Sequence, residues 1–142
     1  MPSLRNRVRV TRADRDEILD LRIRVLSVHG TRVSTLTRDW SPRSRHWAAR
    51  LDGVVVGCAS VMAMRGHVLR GMAVSVEHQR QGIGTALLEA IYAEVDGPMW
   101  CNARVVAVPF YERHGWVASG PRFEMPVAGA TQRMEWTPPS GA

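Results

Sequence analysis

The sequence predicts a mixed α/β fold, one sheet carrying helices on its faces, in a single domain over residues 1–142. Three observations predict it. Apolar segments of strand and helix periodicity alternate as β, α, loop, three β, α, β, α, β, β. Asp52-Gly53 separates two apolar runs as a two-residue hairpin signal. Gln79-Arg80-Gln81-Gly82-Ile83-Gly84-Thr85 stands where a strand gives way to a helix.

Taken in order, residues 7–11 alternate as a short strand. Thr11 or Asp14 caps the next helix, because a short side-chain oxygen there accepts the first free N–H groups. Ile18, Leu21, Ile23, Val25 and Leu26 give that helix an apolar side up to residue 28. Residues 30–45 are polar and read as a long loop, a type of segment that often serves function. Residues 46–51, 54–64 and 68–76 form a three-stranded meander, turned at Asp52-Gly53 and at Arg65-Gly66. A helix over residues 82–95 shows Leu87, Leu88, Ile91, Tyr92 and Val95 at helical spacing and ends at Asp96-Gly97-Pro98. Residues 99–103 form a short strand, and residues 106–114 a helix ended by Gly115. Residues 116–119 and 131–136 are the last two strands, joined through residues 123–129.

Composition excludes several classes of function. The hydrophobic fraction of 45% and charged fraction of 23% are those of a soluble globule. No apolar run approaches the roughly 20 residues needed to span a bilayer, so no membrane partner is expected. The arginines near the N-terminus are not followed by the apolar run of a secretory leader. Cys58 and Cys101 lie in strands without metal-ligand spacing, which points to a reducing, cytoplasmic setting and no metal. The net charge is +6, and all 19 basic residues are arginine, which excludes a catalytic lysine. Those arginines are scattered, with no basic run and no aromatic interleaving. This argues against a nucleic-acid partner and for a basic surface that attracts an anionic cofactor.

The turn at residues 79–85 carries the chemistry. Two glycines one residue apart at a helix start leave backbone N–H groups free and let an anion approach them. Amides from Arg80 to Thr85 converge there, with side-chain donors on Gln79, Arg80, Gln81 and Thr85. A phosphate-binding P-loop is excluded by the lack of Gly-Lys-Ser/Thr, and the dinucleotide fingerprint by Leu87 at its third glycine position. Further along, Phe110-Tyr111-Glu112-Arg113-His114-Gly115-Trp116 supplies a phenol beside a helix end. Together these predict a phosphate-bearing cofactor and a proton donor in one small domain.

Gln79-x-x-Gly82-x-Gly84 resembles the acyl-CoA signature of the GNAT N-acetyltransferases. Asn102 followed by Phe110-Tyr111-x-x-x-Gly115-Trp116 is similar to that family's second cofactor segment, with Trp116 in place of the common Phe. The element order agrees over about residues 7–136. The resemblance implies a mostly antiparallel sheet, splayed between its fourth and fifth strands to admit acetyl-CoA. It implies that the N–H groups of Gln81, Gly82, Ile83, Gly84 and Thr85, beside Gln79 and Arg80, hold the CoA diphosphate. Met72, Ala73 and Val74 would pair with the pantetheine arm, Asn102 would contact that arm or the acceptor, and Tyr111 would protonate the departing thiolate. The implied activity is acetyl transfer to a primary amine of a small molecule or peptide, in a ternary complex. The alternative is a non-catalytic acyl-CoA-binding sensor or regulatory module. The family's habit of dimerising through its sheet leaves a homodimer open.

The general base stays open among Glu77, His67, His114, Glu124, Glu135 and a water relay. His114, beside Gly115, also reads as a complement to a helix dipole. Trp40 could wall an acceptor pocket or anchor its loop. Gln132 stands where small bacterial relatives of this kind carry a histidine.

Overall fold

The computed structural model describes residues 7–26, 41–126 and 128–139. The elements are β1 (Arg9–Ala13), α1 (Arg15–Leu26), β2 (Ser44–Leu51), β3 (Val54–Ala63), β4 (His67–Val74), α2 (Ile83–Glu94), β5 (Met99–Arg104), α3 (Val108–Arg113), β6 (Val117–Ala118), β7 (Phe123–Met125) and β8 (Gly129–Trp136). Among the described residues these strands make one mixed sheet of order β1-β2-β3-β4-β5-β8-β6, with β7 also on β8.

The local signals act as expected in several places. Leu51 pairs with Val54 across Asp52-Gly53, both in left-handed conformation at φ 51° and 83°, the geometry of a tight hairpin turn. The first helix starts after Asp14, whose N–H donates to Glu17 Oε1 at 2.8 Å, one half of a capping box. Thr11 is not the cap: it lies inside β1, opposite Ala48. The first strand is shifted to Arg9–Ala13 because its pairing with β2 decides its limits.

Other boundaries moved for tertiary reasons. The fourth strand ends at Val74, and Val76–His78 form a 3-10 turn instead of continuing it. Ser75 causes this break: its hydroxyl donates to Glu77 Oε2 at 2.9 Å and accepts from His78 Nδ1 at 2.7 Å. A further 3-10 turn, Val105–Ala107, precedes the shorter helix α3. The connection through residues 123–129 contains a strand, β7, that periodicity missed because it is three residues long and exposed throughout. The polar loop expected at residues 30–45 falls mostly outside the described residues, as does Trp40; its end, Ser44 and Arg45, is the start of β2.

The two sheet faces differ. α2 and α3 cover one face with a large apolar core that includes Trp47, Val61, Leu69, Ile83, Leu87, Leu88, Ile91, Met99, Met134 and Trp136. α1 covers the other with a small cluster of Ile18, Leu21, Ala48, Cys58 and Ala73. No helix among the described residues is long and apolar enough to cross a membrane.

Candidate active site

β4 and β5 run parallel but pair only at His67–Met99 and Val68–Trp100. Beyond Val68 they diverge, while β4 stays paired with β3 as far as Val74. The edge of β4 facing β5 therefore has no ladder partner over its C-terminal half among the described residues. A cleft of about 490 Å³ fills the divergence, lined by Arg22, Met72, Val74, Asn102 and Tyr111 among others.

The glycine turn lies at the end of β4. Gly82 precedes α2 in the left-handed conformation, φ 88°, and no side chain caps the helix. Its first N–H groups lack intrahelical partners by construction. Ala86 makes the first backbone bond, to Gly82 O at 3.0 Å. The fit for an anion is thus set by main-chain amides of a helix with no cap of its own. The side chains expected to help are engaged elsewhere. Gln79 Nε2 donates to Val74 O at 3.0 Å and Gln81 Nε2 to Glu77 O at 3.3 Å. Thr85 Oγ1 bonds His114 Nε2 at 2.8 Å, and His114 Nδ1 bonds Phe110 O at 2.8 Å. These bonds brace the turn and tie α2 to α3. Arg80 is exposed in the left-handed region, at φ 64°.

β4 carries a bulge beside the cleft. Cys58 pairs with Ala73 and Ser60 with Arg70, so Gly71 and Met72 share the place opposite Ala59. Gly71 has φ 64°, and a Cβ there would lie 2.5 Å from Arg22 Nε. Only glycine lets the guanidinium of Arg22, 1% exposed, lie against this strand.

Tyr111 projects from α3 to the cleft wall with 6% exposure. Phe110 and Trp116 hold its ring edge-on, each at 5.2 Å between centroids. Burial, reinforced by Cys101, pushes the phenol well above its ordinary value, so it holds its proton at neutral pH. Its hydroxyl donates to Cys101, whose thiol burial raises to about 12. A thiol so raised is a poor nucleophile. Asn102, next along β5, is exposed at the cleft.

The structure does not bring the candidate bases to the cleft. Glu77 is exposed in the 3-10 turn, its carboxyl lowered first by the Ser75 hydroxyl. His67 stands at the closed end of β4, paired with Met99. His114 is held between Thr85 and Phe110. Glu124 is exposed on β7, and Glu135 pairs with Arg133 at 3.1 Å. No Asp, Glu or His among the described residues lines the cleft. Gln132 is buried and donates to Ser119 O and Gly120 O, fixing the run between β6 and β7. Sequence reasoning missed Arg22, Arg70 and Arg104 in the cleft wall. A signal for Arg22 existed: it shares the i, i+3, i+4, i+7 stripe of Ile18, Leu21 and Val25.

A family model described as an acetyltransferase (GNAT) domain matches residues 23–137. The chain belongs to the GNAT acetyltransferase family. Solved GNAT-type structures share its fold at low identity. Escherichia coli ElaA has a TM-score of 0.76 at 16% identity, over 91% of this chain and 99% of that one. The ribosomal-protein-S18-alanine N-acetyltransferase from Escherichia coli has a TM-score of 0.75 at 20% identity, over 95% and 96%. A GNAT acetyltransferase from Elizabethkingia anophelis with acetyl-CoA bound has a TM-score of 0.72 at 11% identity, over 93% and 99%. No curated protein matches the sequence.

Proposed function

We propose that this chain is an acetyl-CoA-dependent N-acetyltransferase that acts on a primary amine by direct transfer in a ternary complex. Residues 7–136 form the core of its one domain, and the free thiols of Cys58 and Cys101 suit a reducing, cytoplasmic setting. The observation that carries the reading is the cleft between β4 and β5, lined by Gln79 of the turn that leads to an uncapped helix start and by a protonated tyrosine.

The diphosphate would rest on the amides of Gln81, Gly82, Ile83, Gly84 and Thr85, beside Gln79 and Arg80. The open edge of β4 at Met72, Ala73 and Val74 offers hydrogen-bond partners to a strand-like arm carrying amides. Asn102 faces that edge from β5. When bound, acetyl-CoA supplies an activated acyl group on a thiol leaving group. Main-chain N–H groups at the β4 bulge would polarise the thioester carbonyl. Tyr111 Oη would give its proton to the departing thiolate, and its raised value keeps it an acid, not a base. No acidic or imidazole side chain of the described residues lines the cleft, which supports a water relay as the route for the amine's proton.

That same lack favours a second reading, a non-catalytic acyl-CoA-binding module. Calorimetry with acetyl-CoA, followed by thiol release over a panel of amines, tests both. Binding with turnover supports the transferase; binding without turnover over a broad panel supports the module; no binding by folded protein removes both.

A further inference from the structure

We propose that His114 decides whether the Thr85 hydroxyl donates to the cofactor's diphosphate, which makes acyl-CoA binding proton-linked. This rests on the acyl-CoA reading above and deepens the part of the site at the glycine turn. Thr85 is the third residue of α2, and its N–H precedes the first backbone bond of that helix, made by Ala86. Its Oγ1 lies 2.8 Å from His114 Nε2. His114 Nδ1 lies 2.8 Å from Phe110 O, which only accepts, so Nδ1 carries a hydrogen. The imidazole is also held from the side. The Phe110 ring lies 4.6 Å from it between centroids and seats on Gly84, where a Cβ would come within 3.0 Å of two ring carbons.

Two hydrogen-bond states follow. In neutral His114 the hydrogen on Nδ1 leaves Nε2 as a lone pair, and that lone pair takes the Thr85 hydroxyl hydrogen. Thr85 then has no hydrogen left for a diphosphate. In the imidazolium, Nε2–H donates to Thr85 Oγ1 instead. The hydroxyl hydrogen is released to the anion, and a positive charge stands behind it. The protonated form therefore holds the diphosphate more tightly, affinity rises as pH falls, and binding takes up a proton. Histidine is the side chain that changes charge between about pH 5 and 8. In the chain, the ionisable residues closest to the pair are Arg80 and Glu89 on either side of Thr85, and Tyr111, Glu112 and Arg113 before His114; all but Tyr111 are exposed. Of the elements packed on α3, β6 and the 3-10 turn before the helix carry none, and Arg133 and Glu135 of β8 pair with each other. All of these remain in each variant below, so their fields cancel in the comparison.

The test is calorimetry of the full chain with acetyl-dephospho-CoA. This probe keeps the diphosphate and lacks the 3′-phosphate, itself a group that titrates near about pH 6. Wild type should bind it about tenfold more tightly at about pH 5.5 than at about pH 8, the effect of one charge-assisted hydrogen bond. Thr85→Val keeps the side-chain shape, loses the hydroxyl and should lose most of that dependence. His114→Asn keeps a donor in the Nδ1 position and deletes Nε2. Its profile should be flat, and at about pH 8 it should bind at least as tightly as wild type. A purely structural histidine predicts the opposite, weaker binding at every pH. A flat wild-type profile, a full pH dependence in Thr85→Val, or weaker binding by His114→Asn than by wild type at about pH 8 would each overturn the inference. If acetyl-CoA alone binds, the same three proteins are compared with it, since all meet the same 3′-phosphate. A folded chain that binds neither compound overturns the acyl-CoA reading beneath.

Discussion

The two faces of the sheet are built to opposite rules. Under α2 the contacts are apolar and deep: Ile83, Leu87, Leu88 and Ile91 are essentially inaccessible and pack on Trp47, Val61, Leu69 and Met99. Under α1 the cluster is small, and polar groups are buried around it. Arg22 is 1% exposed, and His46 bonds Ser60 at 2.7 Å through Nδ1. Apolar burial contributes stability in proportion to area. Buried polar groups contribute little net stability, since hydrogen bonding mostly offsets their loss of water. The comparison teaches that most of the apolar burial lies under α2, while the α1 face carries buried polar groups beside the cleft.

The largest effect should come from the apolar face. Leu87→Ala removes a fully buried side chain and should cost about 2–5 kcal/mol in a denaturant melt. The folded fraction should keep its kcat, and a large fall in kcat would break the division between faces. Tyr111→Phe should come next, lowering kcat by about a hundredfold. CoA affinity from calorimetry should stay nearly constant, and an unchanged kcat would remove the proton-donor role. Gly71→Ala places a Cβ against Arg22 at a left-handed position and should cost about 1–3 kcal/mol. Its amine turnover should fall further than its stability alone explains, because Gly71 lines the cleft.

The smallest effect is a pH dependence. Tyr111, Cys101 and Cys58 hold their protons more tightly when folded, through burial first in each case. Their contribution is complete below the ordinary values, 9.0 for the thiols and 10.0 for the phenol. Above these the unfolded chain binds fewer protons than the folded one, so stability falls as pH rises toward about 12, where the folded thiols titrate. Melting temperatures should decline across that alkaline window, and Cys101→Ala should flatten the decline. A flat wild-type profile would show that these groups are not shielded as the structure has them.

Legibility in the sequence followed the range of the interaction. The Asp52-Gly53 hairpin and the helix of Leu87, Leu88 and Ile91 are local patterns, and both were read correctly. The strand-to-helix turn at Gly82 and Gly84 was legible because a left-handed residue before a helix is a local demand. The end of β4 at Val74 was not, because the Ser75 hydroxyl's bonds to Glu77 and His78 decide it. β7 is three exposed residues that exist as a strand only because β8 offers an edge. The side chains of Gln79 and Gln81 were read as donors to the anion, whereas backbone carbonyls nearby take them.

What the chain determined by itself is the order of its elements, the family they belong to and an uncapped helix start behind two glycines. These rest on residues within a few positions of one another, where backbone preference and periodicity act without help from the fold. Tertiary structure alone decided the chemistry of the cleft. Arg22, Arg70 and Arg104 are far apart in the chain and meet only where β4 leaves β5. Tyr111 becomes a firm proton holder only once Phe110, Trp116 and Cys101 surround it, because burial, not sequence neighbourhood, disfavours its charged form.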